Sequence, residues 1–205
     1  RMGRDGYGST YDGATSVLAV TNGTVSLKKL ALDSGSRLLA KDSVLTFGTL
    51  WLRELSRGLD LDGVRLAITD EWRVDGKSRP VWGFTNQTIA VGKAQFGWDG
   101  SNPTVVFSDS DVEVSGSAVI GHWKGDGKVV VDGASRFRLG ESAGLSLGGA
   151  GAGTGRCDVV SGEVSVSAAP NAYVTLGVAD GSFGQLNVLG GSVVSDCART
   201  AGNGV

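Results

Sequence analysis

Along most of the chain, apolar and polar residues alternate with period two in short runs bounded by Gly, Asn-Gly, Asp-Gly or Gly-Gly. Such alternation marks strands with one buried face, and the glycine-containing corners supply the positive φ of a sharp turn. One phrase reads Gly184-Gln185-Leu186-Asn187-Val188, the turn Leu189-Gly190-Gly191, then Ser192-Val193-Val194-Ser195. It returns as Gly155-Arg156-Cys157-Asp158-Val159, Val160-Ser161-Gly162, Glu163-Val164-Ser165-Val166. Earlier forms are Gly127-Lys128-Val129-Val130-Val131 with Ser135-Arg136-Phe137-Arg138-Leu139, and Val17-Leu18-Ala19-Val20-Thr21-Asn22-Gly23-Thr24-Val25-Ser26-Leu27.

A second pattern, apolar-x-apolar-Gly, ends on Val91, Ile120, Leu147 and Leu176 before Gly92, Gly121, Gly148 and Gly177, in steps of 29, 27 and 29. With Asp in place of Gly it extends back to Leu61-Asp62 and Leu32-Asp33, and Met2-Gly3 opens the series, in steps of 30, 29 and 30. One motif recurring at a nearly fixed spacing predicts a repeat architecture. The expected fold is all-β, a single-stranded parallel β-helix with three short strands per ~29-residue coil and about six to seven coils. A β-sandwich is the alternative. Stacked at ~4.8 Å per coil, the rod would be roughly 30 Å long. Val129, Cys157 and Leu186 should stack inside it, as should Ile120, Leu147 and Leu176. Residues 1–205 read as one segment in which 33–91 are irregular coils with insertions. Gly48–Gly58 with Trp51, and Asp75–Thr88 with Trp82 and Phe84, are expected to change the cross-section and leave a notch.

Composition narrows this picture. Glycine accounts for 34 of 205 residues but proline for only 3, with 40% hydrophobic residues, which excludes collagen and a disordered tail. Helical bundles are excluded too, because each interior Gly costs roughly 1 kcal/mol against Ala. The net charge of −2 shows no basic stripe for nucleic acid, and no apolar run is long enough to span a bilayer. The ends, Arg1-Met2-Gly3 and Gly202-Asn203-Gly204-Val205, predict a fragment of a longer repeat protein. Further coils or caps of the same chain, and any export signal, would then lie outside it. Cys157 and Cys197 read as small buried hydrophobes, although a disulfide between them stays open. Neither has the spacing of a zinc site.

The run from Leu176 to Val193, Leu-Gly-Val-Ala-Asp-Gly-Ser-Phe-Gly-Gln-Leu-Asn-Val-Leu-Gly-Gly-Ser-Val, resembles the repeats of bacterial autotransporter passenger domains. It is similar also to the autotransporter-associated β-strand repeats of large surface proteins. Positions 118–195 carry the resemblance clearly and 2–27 moderately, whereas 33–91 depart from it. The resemblance implies a right-handed β-helix in a secreted or cell-surface, outer-membrane-associated chain. It says little about activity, because such repeats carry many functions.

Candidate chemistry is sparse. The lone His122 has no carboxylate at a recognisable offset. The serines lack a Gly-x-Ser-x-Gly elbow, and the Gly148–Gly153 loop leads into a strand, which rejects a dinucleotide site. Asp70-Glu71 and Asp109-x-Asp111-x-Glu113 are the best acidic clusters. The second is expected on one outward face beside Arg138 and Ser165, as a solvated face or a weak Ca²⁺ site. No cofactor, metal site or catalytic residue is expected. Loops after the markers should share one edge of the rod and bring Tyr7, Tyr11, Phe96, Trp98, His122, Trp123 and Phe183 together. Exposed aromatic edges bind sugars or proteins, whereas rings folded onto the coil merely cover its corner. The expected function is a non-catalytic stalk or passenger segment. The alternatives are an adhesin binding surface glycans or host and neighbour-cell proteins through Tyr7, Tyr11, Phe96, Trp98, His122 and Trp123, and a polysaccharide-degrading enzyme.

Overall fold

A computed structural model describes residues 16–33, 35–53, 58–140, 143–167, 172–195 and 198–200, and every regular element among them is a β-strand. Four coils each combine a short strand with a long one: β1 (Ser16–Thr21) and β2 (Thr24–Leu32), β3 (Ser36–Lys41) and β4 (Val44–Leu52), β5 (Gly58–Asp62) and β6 (Arg65–Val74), β7 (Val81–Thr85) and β8 (Thr88–Trp98). The coils that follow have three strands: β9 (Thr104–Ser108), β10 (Asp111–Val114) and β11 (Ala118–His122); then β12 (Asp126–Asp132), β13 (Arg136–Leu139) and β14 (Leu145–Leu147). Next come β15 (Thr154–Val159), β16 (Glu163–Val166) and β17 (Val174–Leu176), and finally β18 (Phe183–Val188), β19 (Ser192–Ser195) and β20 (Ala198–Thr200).

Paired strands are parallel throughout. The protein is thus a β-solenoid with three faces per coil. Its first face holds β1-β3-β5 and β7-β9-β12-β15-β18, and the other two faces form one 12-stranded sheet. The long strands bend across both of those faces. β8 shows how: Thr88–Val91 pair with β10, and Ala94–Trp98 pair with β11.

The inward rows contain Leu45, Leu66, Ile89, Val112, Phe137 and Val164, all buried. At the centre, Trp72 meets Phe84 at 4.9 Å and Phe96 at 5.1 Å between ring centroids, edge to face. Val129 stacks under Cys157 and Leu186, and Ile120 under Leu147 and Leu176, in the expected register. Leu176 and Leu186 are only partly buried, because they belong to the last two coils.

The coil length is not constant. On the second face, Thr24 pairs with Val44 and Val44 with Arg65, steps of 20 and 21. The chain then runs Arg65, Thr88, Asp111, Arg136, Glu163 and Ser192, steps of 23, 23, 25, 27 and 29. A 29-residue coil therefore holds only at the C-terminal end. The markers at Leu32, Leu61 and Val91 are not equivalent: Leu32 pairs with Leu52, Leu61 with Ala40 and Val91 with Val114, on different stretches of the coil. Ile120 stacks on Phe96, not on Val91. Growth occurs mainly where the second face turns into the third. In β4 that corner is a bulge between Phe47 and Thr49; later it is a connection of three, five and then seven residues. Residues 33–91 are the compact coils, and the inserted loops lie downstream of them.

Corners are built by a column of left-handed residues between the first and second faces. Asn22, Asp42, Gly63, Asn86, Asp109 and Gly133 have φ of 50°, 47°, 59°, 55°, 50° and 63°. Asn, Asp and Gly are the residues that reach this region most readily. Directly inside runs a polar column. Gly23 N donates to Ser43 Oγ at 3.3 Å, Gln87 N to Ser110 Oγ at 3.1 Å, and Ser110 N to Ser135 Oγ at 3.1 Å. Where the first face breaks between β5 and β7, buried Gln87 bridges the gap. Its Nε2 donates to Leu61 O at 3.0 Å and Thr85 O at 2.7 Å.

Candidate functional site

The aromatic edge forms where the third face ends. Inward parity fixes Leu52, Val74, Phe96 and Ile120 in one core row, so the residues next to them point outward. Phe96 is thus a core residue, 1% exposed, and does not belong to the edge. Trp82, 4% exposed, likewise faces inward from β7. Outside the core row, Trp51 stands in register with Arg73, and Trp98 with His122.

These outward side chains stack into a column along the rod. The Arg53 and Arg73 guanidinium groups lie 4.4 and 4.8 Å from the Trp51 ring, and Lys29 Nζ lies 5.4 Å from it. Arg73 also sits 4.9 Å from the Trp98 ring. Beyond it His122 stacks on Trp98 at 4.4 Å with planes 10° apart. A Cβ on Gly149 would reach His122 Cδ2 at 2.5 Å, so the backbone of the following coil closes over the imidazole. Asp75 ties the column together: it accepts from Trp51 Nε1 at 2.8 Å, Arg73 Nε at 2.6 Å and the Trp98 backbone N at 3.2 Å. Arg53 is paired with Asp33 at 3.2 Å.

Trp98 and His122 therefore do what rings folded onto a coil do: they cover its corner. His122 Nδ1 is buried without a hydrogen-bond partner, and burial lowers the imidazole's pKa. Both facts favour the neutral form of the ring. Trp123 behaves differently. It is 53% exposed, tilted 43° to Trp98 and 53° to His122. Phe183, also exposed, opens β18 two coils further on. Tyr7, Tyr11 and Cys197 lie outside the described residues.

No family model, curated protein or solved structure matches the chain. Its site must be judged on geometry alone.

The acidic candidates resolve into structural parts. Asp109 occupies the left-handed corner, and its Oδ1 accepts from Ala134 N at 2.8 Å. It precedes β10, so the three carboxylates do not share one strand face as expected. Asp111 and Glu113 do share it, and both meet Arg138, at 2.9 and 3.9 Å. Asp70 lies exposed at the bulge, and Glu71 is in register with Lys93. Among the described residues, no three His, Cys, Asp or Glu side chains gather where a metal ion could be held, and no helix could cross a membrane.

The alternation did not reveal the buried acid on the first face. Asp158 accepts from Arg156 Nε at 2.7 Å and Asn187 Nδ2 at 2.6 Å, and pairs with Lys128 Nζ at 2.8 Å. Burial pushes its pKa up, but these partners outweigh it and hold the carboxyl at about 2. Burial, with Asp158 beside it, pushes the Cys157 thiol to about 12, so it cannot serve as a thiolate nucleophile.

Proposed function

We propose that the chain is a structural segment, a stalk or passenger coil stack of a secreted or surface-exposed bacterial protein, without catalysis of its own. The observation that supports it most is the use made of the polar residues. Asp33, Asp75, Asp109, Asp111 and Asp158 each bind a neighbouring coil or corner, so most of the carboxylates suited to chemistry, Asp70 excepted, are spent on stacking. Export is supported by the resemblance of residues 118–195 to autotransporter repeats. A panel of polysaccharides incubated with the purified chain should release no reducing ends. Cleavage that disappears in D70N or D111N while the fold persists would replace this reading with the enzymatic one.

The exposed ring of Trp123 favours a second reading beside the first, contact with surface glycans or partner proteins along the aromatic edge. A glycan array and pull-downs from cell-surface extracts, each run with wild type and a Trp51, Trp98 and Trp123 triple alanine variant, test it. Equal signals from both proteins would remove it.

A further inference from the structure

We infer that the binding contact of the aromatic edge is Trp123 alone, and that its ligand is a pyranose ring of a neutral glycan. This rests on the edge-binding reading and narrows it.

The other rings are half-buried and carry neighbours: Trp98 meets Arg73 and His122, His122 meets Trp98 and lies against Gly149, and Trp51 carries Lys29, Arg53 and Arg73. Of these four rings only Trp123 is exposed. It also occupies a backbone conformation that its neighbours reserve for other residues. The chain turns at this corner through two successive left-handed residues. In one coil they are Asp99 and Gly100 (φ 50° and 74°), and in a later one Gly151 and Ala152 (76° and 59°). Between these coils the pair is Trp123 and Lys124, at 49° and 64°, closed by Gly125 N donating to His122 O at 3.0 Å. A bulky side chain is unfavourable there, and the fold supplies Asp or Gly at the same corner elsewhere. Bulky residues held in such a region cluster at ligand-contacting sites. Gly151 completes the seat: a Cβ on it would come within 3.1 Å of Trp123 Cε3, so the ring rests against glycine backbone.

The surroundings select the ligand. Asp99, Lys124 and Asp126, at the same corner as the ring, are all exposed, and Gly100 and Ala152 add little apolar surface. A stable protein partner needs roughly 1,000 Å² with an apolar centre, more than Trp123 with the exposed Val178 and Phe183 of the later coils supplies. A pyranose needs less: one flat C–H face for the indole, and hydroxyls around it for carboxylates and an ammonium. The two carboxylates beside one ammonium disfavour an anionic sugar.

Neutral β-linked glucan and galactan hexasaccharides, titrated calorimetrically, test the assignment. Wild type should bind one of them, and W123N, which keeps a residue suited to left-handed φ, should weaken binding at least about tenfold, or 1.4 kcal/mol. The thermal midpoint of W123N should stay within about 4 °C of wild type, whereas W98A should fall well below it. Binding that survives W123N but is lost in Trp51→Ala would overturn the assignment to Trp123 and keep the edge. Binding of neither hexasaccharide by wild type would overturn the pyranose assignment, leaving the edge to protein partners. A W123N midpoint as low as that of W98A would make the ring structural and overturn the inference.

Discussion

Asp158 should carry a measurable part of the acid dependence of stability. Its carboxylate is 6% exposed and joins three consecutive coils, through Lys128 in β12, Arg156 beside it in β15 and Asn187 in β18. These partners lower its pKa from an ordinary 3.8 to about 2. That depression is worth about 2 kcal/mol at neutral pH. Because the folded-state value is the lower one, the contribution is complete above about pH 5 and disappears as pH falls toward 2. Asp158→Asn removes the charge and leaves Lys128 and Arg156 facing an amide, so it should lower stability by about 2 kcal/mol at pH 7. The assay is urea unfolding of both proteins, followed by intrinsic Trp fluorescence from pH 7 down to pH 2. The gap between the unfolding curves should shrink steadily below about pH 5 and be mostly lost at pH 2. A gap of constant size across that range would refute the reasoning, as it would assign the loss to packing.

Three further outcomes follow from the corners and the core. Gly121→Ala would place a Cβ onto the Thr154 carbonyl oxygen at a residue with φ 72°, so it should destabilise by about 2 kcal/mol or more, measured by urea unfolding. Asp109→Asn should stay within about 0.5 kcal/mol of wild type, whereas Asp109→Val should lose about 1–2 kcal/mol, because only the former tolerates the left-handed corner. Cys157 should resist thiol-specific reagents in the native protein and react on unfolding, and Cys157→Ser should cost about 1–3 kcal/mol by burying a hydroxyl among apolar groups.

The strands were legible because alternation depends only on one face being buried. Wherever the coil is 27–29 residues long, register followed: Ile120, Leu147 and Leu176 align because steps of 27 and 29 there match whole coils, even as the corner between them lengthens from five to seven residues. Leu32, Leu61 and Val91 mislead for a physical reason. Inward residues recur at every second position, so a fixed step of about 29 finds apolar residues in shorter coils too, on whichever face it lands. The same error of length hid the edge. Trp51 and Arg73 are 22 residues apart and touch only because that coil is short, and Phe96 could be placed inward only with the correct register. Trp98 and His122 do stack, but as the register-paired ends of β8 and β11 rather than as loops after equivalent markers. Nothing in the alternation could show that Asp158, at an outward position, would be covered by its neighbours.

Along the second face the described coils lengthen from one side of the stack toward the other. Strand edges at the two ends of a solenoid of equal coils are complementary, which invites copies to join head to tail into filaments. Among the described residues the second-face step grows from 20 to 29 residues, while the last third-face step, Val174 to Ala198, is 24. A broad coil set against a narrow one would leave nine residues of perimeter without backbone partners. Coils of such unequal length do not match edge to edge, so the lengthening gives the described stack a direction that its repeats alone would lack.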